Sequence, residues 1–228
     1  MIKLAKVLKV VGALSLAFGA LSTAQAAMTY GDIAAPGVYF GTGNVNGNYT
    51  IDTTNGIELA LRAKNYGGTT INGSSGTYQA ALGFSPINSN RLAWNYEYSI
   101  NTFETMLSQY VFLLGVDNDP TAGVHFTFAN ANLFADPKDI HANGSQGSQN
   151  GIFSSTPGGP ISPTKAGLYS FELAAYGLGD TTFSNALSKV DILVRVGDPA
   201  PGNVPEPESI ALLGLGLVGL VAARRRKA

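Results

Sequence analysis

The 228-residue sequence predicts an all-β domain, an antiparallel β-sandwich of about nine strands that is Ig-like or jelly-roll-like. Apolar and polar residues alternate in several short segments, which is the period of half-buried strands. Five Asn-Gly pairs offer the positive φ angles that tight hairpin turns require. No amphipathic helix separates these segments, so parallel pairing through crossover helices is disfavoured. We expect the sandwich over residues 27–196, flanked by an N-terminal signal helix and a C-terminal transmembrane helix.

The first 26 residues have the three parts of a secretory signal peptide. Three lysines precede an apolar run over residues 10–21, and Ala24 and Ala26 form a small-x-small cleavage pattern. The apolar run is shorter than the roughly 20 residues that a transmembrane helix needs. We therefore expect export through the secretion translocon, with cleavage by signal peptidase after Ala26.

The clearest strand pattern covers residues 92–100. Leu92, Trp94, Tyr96, Tyr98 and Ile100 alternate with smaller or polar residues. These aromatic side chains could form a platform for sugars, but core packing is the favoured interpretation. The other predicted strands are Val38–Phe40, Tyr49–Asp52, Ile57–Tyr66, Thr77–Phe84, Tyr110–Val116, Val124–Phe128, Tyr169–Ala175 and Val190–Val196.

Two further segments complete the predicted domain. In the segment Val124–Phe128 we expect Val124, Phe126 and Phe128 to point inward, because they alternate with His125 and Thr127. Residues 136–164 are rich in Gly, Ser, Asn, Gln and Pro, which predicts a long surface loop.

Charge and composition exclude several classes of function. Residues 27–203 contain thirteen acidic and seven basic side chains, a net charge of about −6. Such a domain is unsuited to nucleic acid, whose phosphates require the opposite charge. The chain contains no cysteine, so disulfides and thiol chemistry are excluded and an exported domain must rely on its core.

Asp117-Asn118-Asp119 is the candidate metal-binding segment, because it follows a strong strand and offers closely spaced oxygen ligands. Asp117 and Asp119 are the residues that calcium would use. The glycine and the distal glutamate of an EF-hand loop are missing. The favoured alternative is a turn stabilised by bonds from these side chains to the backbone. Apart from this candidate calcium ion we expect no cofactor.

Catalysis has weak support in the sequence. A glycosidase needs two carboxylates at a set separation in one cleft. Glu58, Glu97, Glu104 and Glu172 are available, but the sequence does not place any two of them together. The two histidines lack the neighbours of a hydrolase triad. We therefore expect a protein without catalytic activity.

The C-terminal 25 residues have three parts in a fixed order. After a linker over residues 197–203, Pro205 and Pro207 restrict the backbone and present Glu206. A predicted transmembrane helix over 209–223 follows, and then a basic end, Arg224–Lys227, before the last residue Ala228. The uninterrupted apolar part of this predicted helix, residues 210–223, would span about 21 Å as an α-helix. This length is less than the roughly 30 Å thickness of the hydrocarbon core of a membrane. Basic residues after the helix place this end in the cytoplasm and the domain outside.

In this order of parts the segment 204–228 resembles the PEP-CTERM sorting signal of Gram-negative bacteria. The resemblance implies that Pro205, Glu206 and Pro207 are recognised by an exosortase, a membrane protease that processes such substrates. It also implies a transient inner-membrane anchor with the domain in the periplasm. After removal of the tail, the domain would pass to the cell surface or to the extracellular, exopolysaccharide matrix.

We therefore expect an exported structural protein of the cell surface or biofilm matrix, with exosortase and exopolysaccharide as partners. Two alternatives remain. One is an adhesin module that binds calcium or carbohydrate, through Asp117 and Asp119 or through an aromatic surface. The other is a polysaccharide-degrading enzyme, which requires a cleft with paired carboxylates.

Overall fold

The fold is taken from a computed structural model that describes residues 28–41, 44–71, 73–74, 76–121 and 123–197. The predicted signal peptide and the sorting segment lie outside these ranges.

Strands account for about half of the described residues. They are β1 (Thr29–Gly31), β2 (Tyr49–Thr54), β3 (Ile57–Asn65), β4 (Gly73–Ser74), β5 (Thr77–Ala80), β6 (Phe84–Ser85), β7 (Asn88–Leu92), β8 (Trp94–Asn101), β9 (Tyr110–Asp117), β10 (Thr127–Asn130), β11 (Gly144–Gln149), β12 (Gly167–Gly177) and β13 (Ser188–Val196). Three short 3-10 helices cover Leu107–Gln109, Ala131–Phe134 and Pro137–Asp139. These thirteen strands exceed the nine expected, because short edge strands such as β1, β4 and β6 have no clear sequence period.

The strands form two main sheets and one hairpin. The five-stranded sheet has the order β1-β2-β3-β8-β11, the six-stranded sheet has the order β10-β9-β12-β13-β5-β4, and β6 pairs with β7. Within the described ranges every pair is antiparallel except β5–β13. The predicted all-β class with mainly antiparallel sheets is confirmed.

One apolar cluster joins the inner faces of the two main sheets. Trp94, Tyr96 and Tyr98 of β8 are each at most 1% exposed and belong to this cluster. The ring of Phe171, from β12 in the opposite sheet, lies 4.7 Å from the ring of Tyr96 and 6.0 Å from that of Trp94. The predicted core role of the β8 aromatic residues is confirmed.

The segment over residues 32–48, which is described at 32–41 and 44–48, covers part of the outer face of the five-stranded sheet. Ile33 packs there against Tyr49 and Ala60 in a small second cluster. The predicted strand Val38–Phe40 is wrong. The backbone N–H of Tyr39 donates to the side-chain oxygen of Gln146 at 3.0 Å, where a strand would bond to a neighbouring backbone.

The predicted loop over 136–164 is also wrong in part, because it contains β11. This strand pairs with β8, and its residues 144–147 are buried although none of them is apolar. Gln146 donates to the carbonyl oxygen of Gly37 at 2.9 Å and to the hydroxyl of Ser99 at 3.1 Å. Hydrogen bonds and glycine packing therefore hold a strand that has no hydrophobic period.

The inward orientation predicted for Val124, Phe126 and Phe128 is wrong. The strand begins only at Thr127 and lies at the edge of its sheet, beside β9. Val124 and Phe128 are 48% and 44% exposed. Phe128 pairs with Gly115 of β9, and its ring lies over this residue, which has no side chain of its own.

Of the predicted Asn-Gly turns, Asn55-Gly56 joins β2 to β3 as a two-residue hairpin with φ angles of 54° and 72°. These two positive φ angles are those of a type I′ turn. Asn150 has a different role, since its buried side chain bonds to the backbone of Leu92 and Trp94.

Candidate functional site

A groove with a volume of about 410 Å³ lies on the outer face of the six-stranded sheet. Its floor includes Ser170 and Glu172 of β12 and Asp191 and Leu193 of β13. Glu172 and Asp191 are direct cross-strand partners. Cross-strand partners lie about 5 Å apart, so the two carboxyl groups are presented together.

Lys189 lies between these two carboxyl groups. Its Nζ atom is 3.2 Å from an oxygen of Glu172 and 3.4 Å from an oxygen of Asp191. Burial and, next, the neighbouring charge of Asp191 raise the pKa of Glu172, while Lys189 opposes the shift. The three side chains form a polar cluster with a net charge of about −1 when all are ionised. Such a cluster can accept hydrogen bonds from hydroxyl or ammonium groups.

Apolar side chains form the sides of the groove. Val124 and Phe126 come from the segment before β10, and Met28 and Gly76 complete the lining. Met28 and Val124 are each nearly half exposed. The Phe126 ring is held against the Phe128 ring, with 5.7 Å between their centroids. Sequence reasoning missed this groove because it expected Val124 and Phe126 in the core.

A second, smaller cleft of about 90 Å³ lies under the segment 32–48. Glu58 is at its base, and both carboxyl oxygens accept the backbone N–H of Ala34 at 3.1 Å. Burial raises the pKa of Glu58, and the bond from Ala34 lowers it by less. His141 stacks edge-on against Tyr39 at the rim, 4.4 Å between centroids. The cleft has room for a few water molecules.

Asp117 and Asp119 lie where the sequence places them, in the loop after β9. One oxygen of Asp117 accepts the N–H of Asp119 at 3.2 Å, and the other accepts the N–H of His125 at 3.1 Å. Asp119 in turn accepts the N–H of Thr121 at 3.3 Å. These hydrogen bonds from backbone N–H groups to the Asp side chains are the ones that the turn interpretation predicts. In the described part of the chain, no group of three or more His, Asp or Glu side chains is arranged to hold a metal ion.

The glutamates considered for catalysis occupy different places. Glu97 is paired with Arg62 beneath the segment 32–48, and Glu104 is exposed. Glu58 lies four residues from Arg62 along β3, and Glu172 belongs to the other sheet. The carboxyl group that the structure does place beside Glu172 is Asp191. Sequence reasoning missed this pair because it depends on the register of β12 and β13.

The remaining predicted residues are Ala24, Ala26, Pro205, Glu206 and Pro207, and they lie outside the described ranges. The predicted transmembrane helix over 209–223 lies outside them too. Among the residues that are described, no helix is long and apolar enough to cross a membrane.

Comparison with known proteins gives one match. Residues 203–227 match the family described as the PEP-CTERM protein-sorting motif. No curated protein and no solved structure matches the chain. The match contains Pro205, Glu206, Pro207, the apolar run and the basic end. The chain therefore carries a PEP-CTERM protein-sorting motif, the signal that marks proteins for export and for exosortase processing at the membrane.

Proposed function

We propose that this protein is a structural component of the cell surface or exopolysaccharide matrix, released there after an exosortase removes its tail. The observation that carries the proposal is the match of residues 203–227 to the sorting motif. The β-rich domain upstream is the part that would remain after processing.

The chemistry of the tail supports a temporary anchor. Its uninterrupted apolar run of 14 residues is short for the hydrocarbon core, so the basic end must extend its side chains toward the cytoplasmic surface. Pro205 and Pro207 have fixed φ angles and disfavour a helical conformation in the residue before each of them, so we expect an extended backbone around Glu206. A protease at the periplasmic surface of the inner membrane would then meet Glu206 on an accessible, extended backbone.

The domain does not depend on disulfide bonds for its stability, which fits the proposed location outside the cytoplasm. It has no disulfides to form, and its stability rests on the shared apolar core and on buried polar contacts. We propose that it has no catalytic activity of its own. Glu58, Glu97 and Glu172 occupy separate positions, and the one carboxyl pair placed in a shared groove, Glu172 with Asp191, is bridged by Lys189. A lysine bound to both carboxyl groups favours a binding role over the acid and nucleophile roles that glycoside hydrolysis needs.

The first test compares two glutamates that carry the same charge, one inside and one just outside the Pro-Glu-Pro element. In cells that contain an exosortase, we expect the wild type and Glu208→Gln to lose the tail. We expect Glu206→Gln and Pro207→Ala to accumulate as a longer, membrane-bound form. Immunoblotting of membrane and extracellular fractions measures both size and location.

Deletion of the exosortase should give the wild type the same longer form. Tail retention by the wild type in exosortase-containing cells would contradict the proposal. Equal processing of Glu206→Gln, Pro207→Ala and wild type would refute the role of the Pro-Glu-Pro element.

A further inference from the structure

We propose that the groove over β12 and β13 binds a glycan that contains amino-sugar residues. This inference goes beyond the sorting proposal, because binding by the domain does not depend on how the tail is processed. The inference rests on three features of the groove: its apolar sides, the charge of its floor, and the hydrogen bonding of the backbone N–H and C=O groups in its floor.

The polar floor matches an ammonium group surrounded by hydroxyls. Glu172 and Asp191 are acceptors, and Lys189 is the one cation that contacts both of them among the described residues. With a single lysine shared by two carboxyl groups, the floor can take up one further positive charge. Hydroxyl groups of the same sugar can donate to the remaining carboxyl oxygens, and Ser170 is a polar residue of the same lining.

The apolar sides match the C–H face of a sugar ring. The ring of Phe126 is fixed against that of Phe128, and Val124 and Met28 add exposed apolar surface. A pyranose has one apolar face and an equatorial rim of polar groups. It can therefore pack against an aromatic ring while its rim reaches a polar floor. The volume of about 410 Å³ falls within the range of sites for small organic ligands.

The backbone of the floor argues for a glycan over a basic peptide. β12 pairs with β9 on one side and with β13 on the other along the floor. Leu193 donates its N–H to the carbonyl oxygen of Gly76 at 2.8 Å. Peptides that bind in extended form gain much of their affinity from free backbone groups at a sheet edge. A ligand here must be recognised through side chains and ring faces.

The test is isothermal titration calorimetry of the full-length chain in mild detergent. The titrants are soluble oligomers of glucosamine, glucose and a uronic acid, together with oligolysine. We expect saturable binding of the glucosamine oligomer, with at least tenfold weaker binding of the other three. Equal binding of the glucose oligomer would overturn the role of the ammonium group. Equal binding of oligolysine would show recognition of charge alone and would overturn the glycan assignment.

Two variants locate the site. We expect Asp191→Asn and Phe126→Ala each to weaken glucosamine-oligomer binding at least tenfold. Glu104→Gln is the control for charge and Ile87→Ala the control for apolar surface, since both positions are exposed and outside the groove. Unchanged affinity in both groove variants would overturn the proposal.

If Phe126→Ala fails to fold, nuclear magnetic resonance of the wild type can locate the binding site. Amide chemical shifts recorded during the titration should change for Gly76, Ser170 and Leu193, which line the groove. Changes confined to other parts of the domain, or an absence of binding, would overturn the assignment. Failure here would leave tail processing unaffected, because immunoblotting measures that separately.

Discussion

Arg62 and Glu97 form a fully buried ion pair on the outer face of the five-stranded sheet. The Nε atom of Arg62 donates to Glu97 at 2.7 Å, and the side chains are 0% and 1% exposed. Arg62 also donates to the carbonyl oxygens of Val45 and Gly47 at 3.0 and 2.6 Å, and its guanidinium lies 4.1 Å from the ring centroid of Tyr49. This one side chain therefore ties the covering segment to the sheet.

Replacement of Arg62 should be among the most damaging single changes. Arg62→Met leaves Glu97 buried with only Lys64, 3.7 Å away, as a cationic neighbour. We expect a loss of about 3–5 kcal/mol in the free energy of unfolding, measured by urea denaturation. Lys138→Met is the control, since it removes an exposed ion pair and should change little. A loss in Arg62→Met no larger than in this control would contradict the account.

The buried carboxyl group of Glu58 should make the free energy of unfolding depend on pH. Burial raises its pKa above the ordinary value of 4.5, so the folded state holds the proton more tightly than the unfolded state. Its contribution to stability is complete below about pH 4.5 and is lost as pH rises through the raised pKa. Glu172 shifts in the same direction.

Glu58→Gln should therefore flatten the fall in unfolding free energy above pH 4.5, which thermal or urea unfolding across a pH series measures. Glu104→Gln should keep the wild-type slope, because Glu104 is exposed. A slope in Glu58→Gln that is as steep as in the wild type would refute the assignment of this titration to Glu58.

Strand β11 depends on close backbone packing. A Cβ atom on Gly147 would lie 2.8 Å from a ring carbon of Tyr98 and 3.0 Å from the carbonyl oxygen of Phe134. We expect Gly147→Ala to lose about 1–3 kcal/mol of unfolding free energy, measured by urea denaturation. Gly177→Ala is the matched control, because a Cβ there meets nothing within 4 Å. Equal stability of the two variants would contradict this packing.

Strands with a strong hydrophobic period were predictable from the sequence. β8, β9, β12 and β13 each place large apolar residues on the inner face. β11 was not predictable, because its residues are Gly, Ser and Gln and its burial comes from tertiary hydrogen bonds. The orientation of Val124 and Phe128 was not predictable either, since period-two alternation does not say which face of a sheet is covered.

The candidate groove could not be predicted for a related reason. Its polar cluster joins Glu172 to Asp191 through the register of two strands, and the sequence separation of 19 residues does not reveal that register. The sorting motif is the opposite case, because its recognition residues and its apolar run are contiguous in sequence.

Basic and acidic residues concentrate in different parts of the chain. Basic residues concentrate at the two ends, and the region between them has a net charge of about −6. We propose that the basic ends serve export and membrane orientation and that removal of both leaves an acidic, cysteine-free β-domain. A net negative charge favours binding of cationic groups, in line with the proposed ligand of the groove.

The most direct test of the central claim is the intact mass of the exported protein, measured by mass spectrometry after purification from the extracellular fraction. We predict a species that begins at Ala27 and lacks residues 210–228. A mass that still includes the apolar run and the basic end would contradict the account, because the tail would then be a permanent part of the protein.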